Sequence, residues 1–102
     1  MIRVFVLYNR PEDPAAFDRY YRETHIGLAQ KLPGLRRFTI ARPQAPRGDS
    51  PYYLIAELDF DDQAALQAAM GSPEGKTTVD DLGNFATSGV TVLVGEVEDV
   101  TG

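Results

Sequence analysis

Two strand-like segments, "IRVFVLY" (residues 2–8) and "GVTVLVGEV" (89–97), carry apolar side chains on both alternating sets of positions. In the first, Ile2, Val4 and Val6 point one way while Phe5 and Leu7 point the other. In the last, Val90, Val92 and Val94 alternate with Leu93 and Val97. A third segment, "YYLIAELDF" (52–60), sets Leu54, Ala56, Leu58 and Phe60 against Tyr53 and Ile55. A sheet with one face in water should alternate between apolar and polar residues. This one must be covered on both faces. The helices of a 102-residue chain can cover one face, and a second copy packed sheet against sheet is the simplest cover for the other, since large exposed apolar patches are uncommon on monomers.

Between these strands the chain reads as β-α-β-β-α-β. "NRPEDP" is a turn cluster that leads into a helix from Pro14, with Asp13 as its N-cap. Phe17, Tyr20, Tyr21, Thr24 and Leu28 fall at helical spacing on one face. "GLRRFTIAR" is the second strand, and "PQAPRGDSP" is a hairpin loop. Asp61 is expected to cap the short helix "DQAALQAAM", which ends at Gly71. Ser72 and Pro73 open a further helical stretch to about "DDLG", and "EDVTG" is a frayed end. The element order predicts an α+β, ferredoxin-like βαββαβ sandwich with an antiparallel four-stranded sheet, one domain spanning 1–102, pairing as a dimeric α/β barrel.

Composition excludes several functions. A net charge of −5 leaves no broad basic surface, so no nucleic-acid partner is expected. The absence of cysteine removes disulfides, thiolate metal sites and a cysteine nucleophile. The apolar N-terminal run is too short for a secretory core, and no stretch reaches membrane-spanning length. No membrane partner and a cytoplasmic location are the expectation. "GSPEGKTT" resembles a phosphate-binding loop, but only three residues separate Gly71 from Gly75, the segment follows a helix, and Glu74 repels phosphate. "RGD" (47–49) is a chance loop triplet. With one histidine and scattered carboxylates no metal site is expected; Asp61–Asp62 and Asp80–Asp81 read as helix-cap and solvated-face charges.

His25 is the only histidine. At 100° per residue it lies on the shoulder of the apolar stripe, with Tyr21 one turn before it. There it can reach a cavity edge with one nitrogen held by a backbone carbonyl, and an imidazole pKa near 6.5 suits proton transfer. The competing role is packing at a helix C-terminus, where an imidazolium complements the dipole. Five tyrosines, at 8, 20, 21, 52 and 53, are numerous for this length. Either core packing or a ligand's aromatic surface accounts for them. Asp18 and Arg22 have the spacing of a surface ion pair.

The opening "MIRVFVLYNRPEDPAAFDRYYRETHIGLAQKLPGLRRFTI" resembles the EthD family of the dimeric α/β barrel superfamily. The likeness rests on the "Y-x-R-P" turn, "F-x-x-Y-Y-x-x-x-H" and "L-A-x-K-L-P-G-L-R-R-F". It departs from the family at Gly27, where proline is frequent. The resemblance implies a homodimer enclosing a cavity and a link to the catabolism of small organic compounds or to polyketide tailoring, with an oxidoreductase-like association. It places His25 as candidate acid/base and Tyr21 as its orienting partner. Tyr8, Tyr53 and Phe38 become candidate ligand contacts for a small hydrophobic or aromatic molecule. No cofactor is expected; haem, with His25 as axial ligand, is the thinner option. The alternative function is a non-catalytic dimeric module that binds a ligand or supports a partner enzyme.

Overall fold

The computed structural model describes residues 1–102. Strands β1 (Ile2–Asn9), β2 (Arg37–Ala41), β3 (Tyr52–Phe60) and β4 (Val90–Glu96) form one sheet in the order β2-β3-β1-β4. Every neighbouring pair is antiparallel. A first helical rod passes from α1 (Pro14–Tyr20) through a π-helical turn (Tyr21–His25) into α2 (Ile26–Ala29). Helices α3 (Gln63–Met70) and α4 (Pro73–Phe85) form the second crossover. The topology is the ferredoxin-like α+β sandwich. Extents of 38 × 36 × 18 Å correspond to one sheet and a single helical layer.

Local signals explain most element starts. Asp13 accepts a hydrogen bond from the Ala16 amide at 3.1 Å, and Pro14 supplies a pre-set φ at the first helical position. Ser72 accepts from the Gly75 amide at 3.1 Å ahead of Pro73. The cap of α3 is Asp62, which accepts from the Ala65 amide at 2.8 Å, and not Asp61. Asp61 instead makes a two-pronged contact with Arg36, at 3.0 and 2.8 Å. The cap position goes to the residue with extended backbone next to the first turn, and that is Asp62 (φ −159°). Helix α4 also runs past Gly83 to Phe85, because Phe85 continues the buried side of the helix and holds the last turn in place.

Strand register assigns the two apolar faces. Val4 lies beside Leu58 and Val94, Val6 beside Ala56 and Val92, and Tyr8 beside Leu54 and Val90. Phe38 and Ile40 extend this face through Leu58 and Ala56. It is the face under the helices, where Ile2, Val4, Tyr8, Leu54, Ala56, Leu58 and Phe60 are buried with Phe17, Tyr21, Leu66 and Phe85. The other face carries Phe5, Leu7, Ile55 and Leu93 with no layer above it, and Leu93 is 55% exposed. At one end of that face Arg3 grips the buried Asp59 carboxylate with two bonds, at 2.7 and 3.0 Å.

Two glycines of the helical layer have opposite surroundings. A Cβ on Gly75 would stand 2.2 Å from the Ala69 carbonyl oxygen and 2.8 Å from the Met70 Cα, so this glycine lets α4 start directly against the end of α3. Gly27 has open space at the same position and lies within α2. Gly75→Ala is expected to destabilise the fold by about 1–3 kcal/mol through overpacking against backbone. Gly27→Ala is expected to stabilise it by up to about 1 kcal/mol through reduced unfolded-state entropy. Chemical denaturation of the two variants checks both signs.

Candidate functional site

The first helical rod builds the site. Its buried side chains are Phe17, Tyr21, His25, Ala29 and, just beyond the last turn, Leu32. In an unbroken α-helix a four-residue repeat drifts by about 40° per step. Here the Ile26 amide bonds back to the Tyr21 carbonyl, five residues earlier, which widens one turn. The wider turn takes up the drift. His25 therefore sits within the buried stripe, only 4% exposed, and not on its shoulder. Nor is it at a helix end, because the rod continues through Ala29.

The partner of His25 comes from α4. Asp81 is 6% exposed, and its Oδ2 lies 2.9 Å from His25 Nδ1. Its Oδ1 accepts from the Tyr20 hydroxyl at 2.5 Å and from Asn84 Nδ2 at 3.0 Å. A carboxylate in that setting is an acceptor, so Nδ1 carries a proton and donates it. Burial lowers the His25 pKa, outweighing the opposing pull of Asp81. For Asp81 burial acts upward, but the bonds from Tyr20, Asn84 and His25 together hold it below the usual carboxylate range. At neutral pH the pair is a neutral imidazole bonded to a carboxylate, with Nε2 unprotonated and making no protein hydrogen bond.

Aromatic packing fixes this geometry. The Phe85 ring lies 4.7 Å from the His25 ring, centre to centre, and also meets Tyr8, Phe17, Tyr20 and Tyr21 at 5.3–5.8 Å. Phe85 packs directly against the imidazole that Asp81 holds.

His25 lines a cavity of about 90 Å³ between the helices and the covered face of the sheet. Fourteen of its sixteen lining residues are hydrophobic. Tyr8, Tyr21 and Phe38 stand in the same wall. Tyr53 does not. Its ring meets the edge of Phe17, its hydroxyl bonds to Asp18 at 3.0 Å, and the Arg42 guanidinium lies 4.8 Å from the ring centre. Asp18 correspondingly pairs with Arg42 at 2.8 Å and not with Arg22. Tyr21 does not orient His25 either: its hydroxyl is buried without any hydrogen-bond partner, and the orienting group is Asp81. No helix is long and apolar enough to cross a membrane, and no cluster of three or more metal-ligating side chains is present.

Residues 9–89 match the family model of the EthD domain. The chain belongs to the EthD family. The uncharacterized 11.0 kDa protein of the thcB-thcC intergenic region of Rhodococcus erythropolis is 41% identical over 101 residues, 98% of each chain. The crystal structure of an ethyl tert-butyl ether d (EthD) family protein from Bacillus halodurans C-125 superposes with a TM-score of 0.92 at 40% identity, covering 96% of this chain and 99% of that one. A dimeric ferredoxin-like protein of unknown function from Jannaschia sp. CCS1 superposes with a TM-score of 0.68 at 26% identity, covering 95% and 100%. The matched EthD segment contains Tyr20, Tyr21, His25, Asp81 and Asn84, so both halves of the histidine–carboxylate pair lie within the domain.

Sequence reasoning reads Asp80 and Asp81 together as solvated charges, and that holds for Asp80 alone, which pairs with Lys76 on the surface at 2.9 Å. Asp81 is the functional residue it misses. A signal was available: Thr78, Asp81 and Phe85 share the buried side of α4, and a carboxylate on a buried stripe needs donors to satisfy it.

The pair sets a pH dependence. The unfolded chain protonates His25 near 6.5 while the folded state resists, so stability falls as pH drops from about 6.5 to the folded value and is level above. Asp81, depressed in the fold, supports stability above about 4, and that support is lost as pH falls through its folded value. Melting temperatures across pH 3–8 should show an upper decline beginning near 6.5. His25→Gln should remove that upper decline and leave the lower one.

Proposed function

We propose that this EthD protein is a cofactor-independent enzyme acting on a small hydrophobic organic compound, with His25 as the proton acceptor and donor. One observation carries the reading. A buried histidine has Nδ1 fixed by Asp81 at 2.9 Å, leaving unprotonated Nε2 in the wall of an apolar cavity. The arrangement performs general base catalysis without further parts: Nε2 takes a proton, and the imidazolium that forms is stabilised by the carboxylate behind it. The lowered pKa keeps the base free at neutral pH. Tyr20 and Asn84 act as positioning residues, since they hold Asp81 and not the ligand. The ethyl tert-butyl ether in the family name of the Bacillus halodurans relative supports a substrate drawn from small organic compounds.

Asp81→Asn tests the base. The asparagine can still accept from Tyr20 and Asn84, but its NH₂ would face Nδ1 and force the proton onto Nε2. Nitrogen-detected NMR should find the Nδ1–H tautomer in the wild type, titrating below 6.5, and the Nε2–H tautomer in the variant, with the fold retained. A wild-type imidazole protonated at Nε2, or titrating above 6.5, sinks the proposal.

The protein acts as a homodimer closed sheet against sheet. Phe5, Leu7, Ile55 and Leu93 form an uncovered apolar face, and the Jannaschia relative is dimeric. Light scattering at micromolar concentration should give a dimer, and Leu93→Asp should give a less stable monomer. A wild-type monomer with no concentration dependence would remove this assembly.

A further inference from the structure

The cavity wall holds one polar group that the protein itself leaves unsatisfied. Tyr21 is 1% exposed, and its hydroxyl makes no hydrogen bond of good geometry, although the Tyr8 hydroxyl lies close by. Burying a hydroxyl unpaired in an apolar wall is unfavourable. The nearby polar groups do not relieve it. Thr78 spends its hydroxyl on the Glu74 carbonyl at 2.8 Å, and His25 spends Nδ1 on Asp81. The Tyr21 and His25 rings are one helical turn apart, 5.5 Å between centres and only 31° from parallel, so the two residues line one short stretch of wall. Burial raises the Tyr21 pKa strongly, so the hydroxyl keeps its proton and is a donor at any physiological pH. The rest of the wall offers a ligand mainly apolar contact, and Met70, Val79 and Val92, each lining the cavity while partly exposed, mark its mouth between the helices and β4.

We propose that the substrate is a small monocarbonyl compound, its oxygen accepting from the Tyr21 hydroxyl and its α-carbon facing His25 Nε2. The size follows from the cavity. A 150 Å³ apolar cavity takes benzene, so one of about 90 Å³ encloses roughly three or four non-hydrogen atoms, and a further methyl group can lie in its mouth. Multi-ring ligands are too large for it. The reaction class is proton removal next to the carbonyl. The α-C–H bond breaks and its proton passes to Nε2. The electron pair forms a C=C bond, and the charge gathered on the oxygen is met by the Tyr21 O–H. Return of the proton, or of one from solvent, restores the carbonyl compound or its isomer, and no oxidant or reductant is consumed. This assignment rests on His25 being the base, but it adds a donor and a substrate class to it.

Butan-2-one in D₂O at pH 7.5 is the probe, with α-deuteration followed by proton NMR. Wild type should exchange the α-protons above the buffer rate. Tyr21→Phe should lower the enzymatic rate about 10²- to 10³-fold, as for loss of an oxyanion donor. Its melting temperature should stay level or rise, because the hydroxyl bonds to nothing in the protein. His25→Gln should abolish exchange while saturation-transfer NMR still shows butan-2-one bound. Equal exchange by wild type and Tyr21→Phe overturns the carbonyl assignment and leaves His25 as base standing. Exchange that survives His25→Gln overturns the base itself. A wild type that neither binds nor exchanges butan-2-one overturns the substrate class, and a Tyr21→Phe variant that melts markedly lower overturns the hydroxyl's role as a ligand donor.

Discussion

The Asp81 carboxylate is the contact on which the arrangement of the helical layer depends. It is the one buried acid that joins α4 to the first helical rod, and it accepts from Tyr20 and His25 across that gap while Asn84 completes its coordination. A buried carboxylate without donors is strongly unfavourable, so the two crossovers of the fold are held at the spacing that lets these bonds form. Phe85, one turn further along α4, fills the space between the same elements with apolar contact. Polar geometry specifies the alignment there, and aromatic packing supplies most of the cohesion.

The sheet separates two tasks. Val4, Val6 and Tyr8 of β1 with Leu54, Ala56, Leu58 and Phe60 of β3 build the core and the cavity with the helices, and Phe5, Leu7 and Ile55 between them belong to the uncovered apolar face. The cavity belongs to the helical side of a single chain, whereas the apolar face bears on association. Because successive strand residues point to opposite sides, substitutions one position apart along β1 act on different functions: Tyr8 borders the cavity, while Leu7 belongs to the open face.

The π-helical turn shows how a small backbone irregularity serves the site. A regular helix would carry His25 away from the line of Phe17 and Tyr21. The widened turn keeps it in that line, within reach of Asp81 and behind Phe85. The irregularity lies where the chemistry-bearing residue is, in keeping with the frequent location of such turns at functional sites.

The sequence by itself determined the element order, the antiparallel ferredoxin-like sheet, the two apolar faces, the cap at Asp13 and the helix start at Ser72, because each depends on local periodicity or on contacts a few residues long. It also carried the family, through the spacing of Tyr20, Tyr21, His25 and the segment after them. It placed the α3 cap one residue early, at Asp61, since adjacent aspartates are equivalent until the backbone turns. Only the tertiary structure decided that Asp81 is buried against His25, 56 residues away in the chain, that Tyr53 turns to Asp18, and that Tyr21 is left unpaired. These are pairings between elements, and their partners are chosen by how the two crossovers pack, which no local pattern encodes.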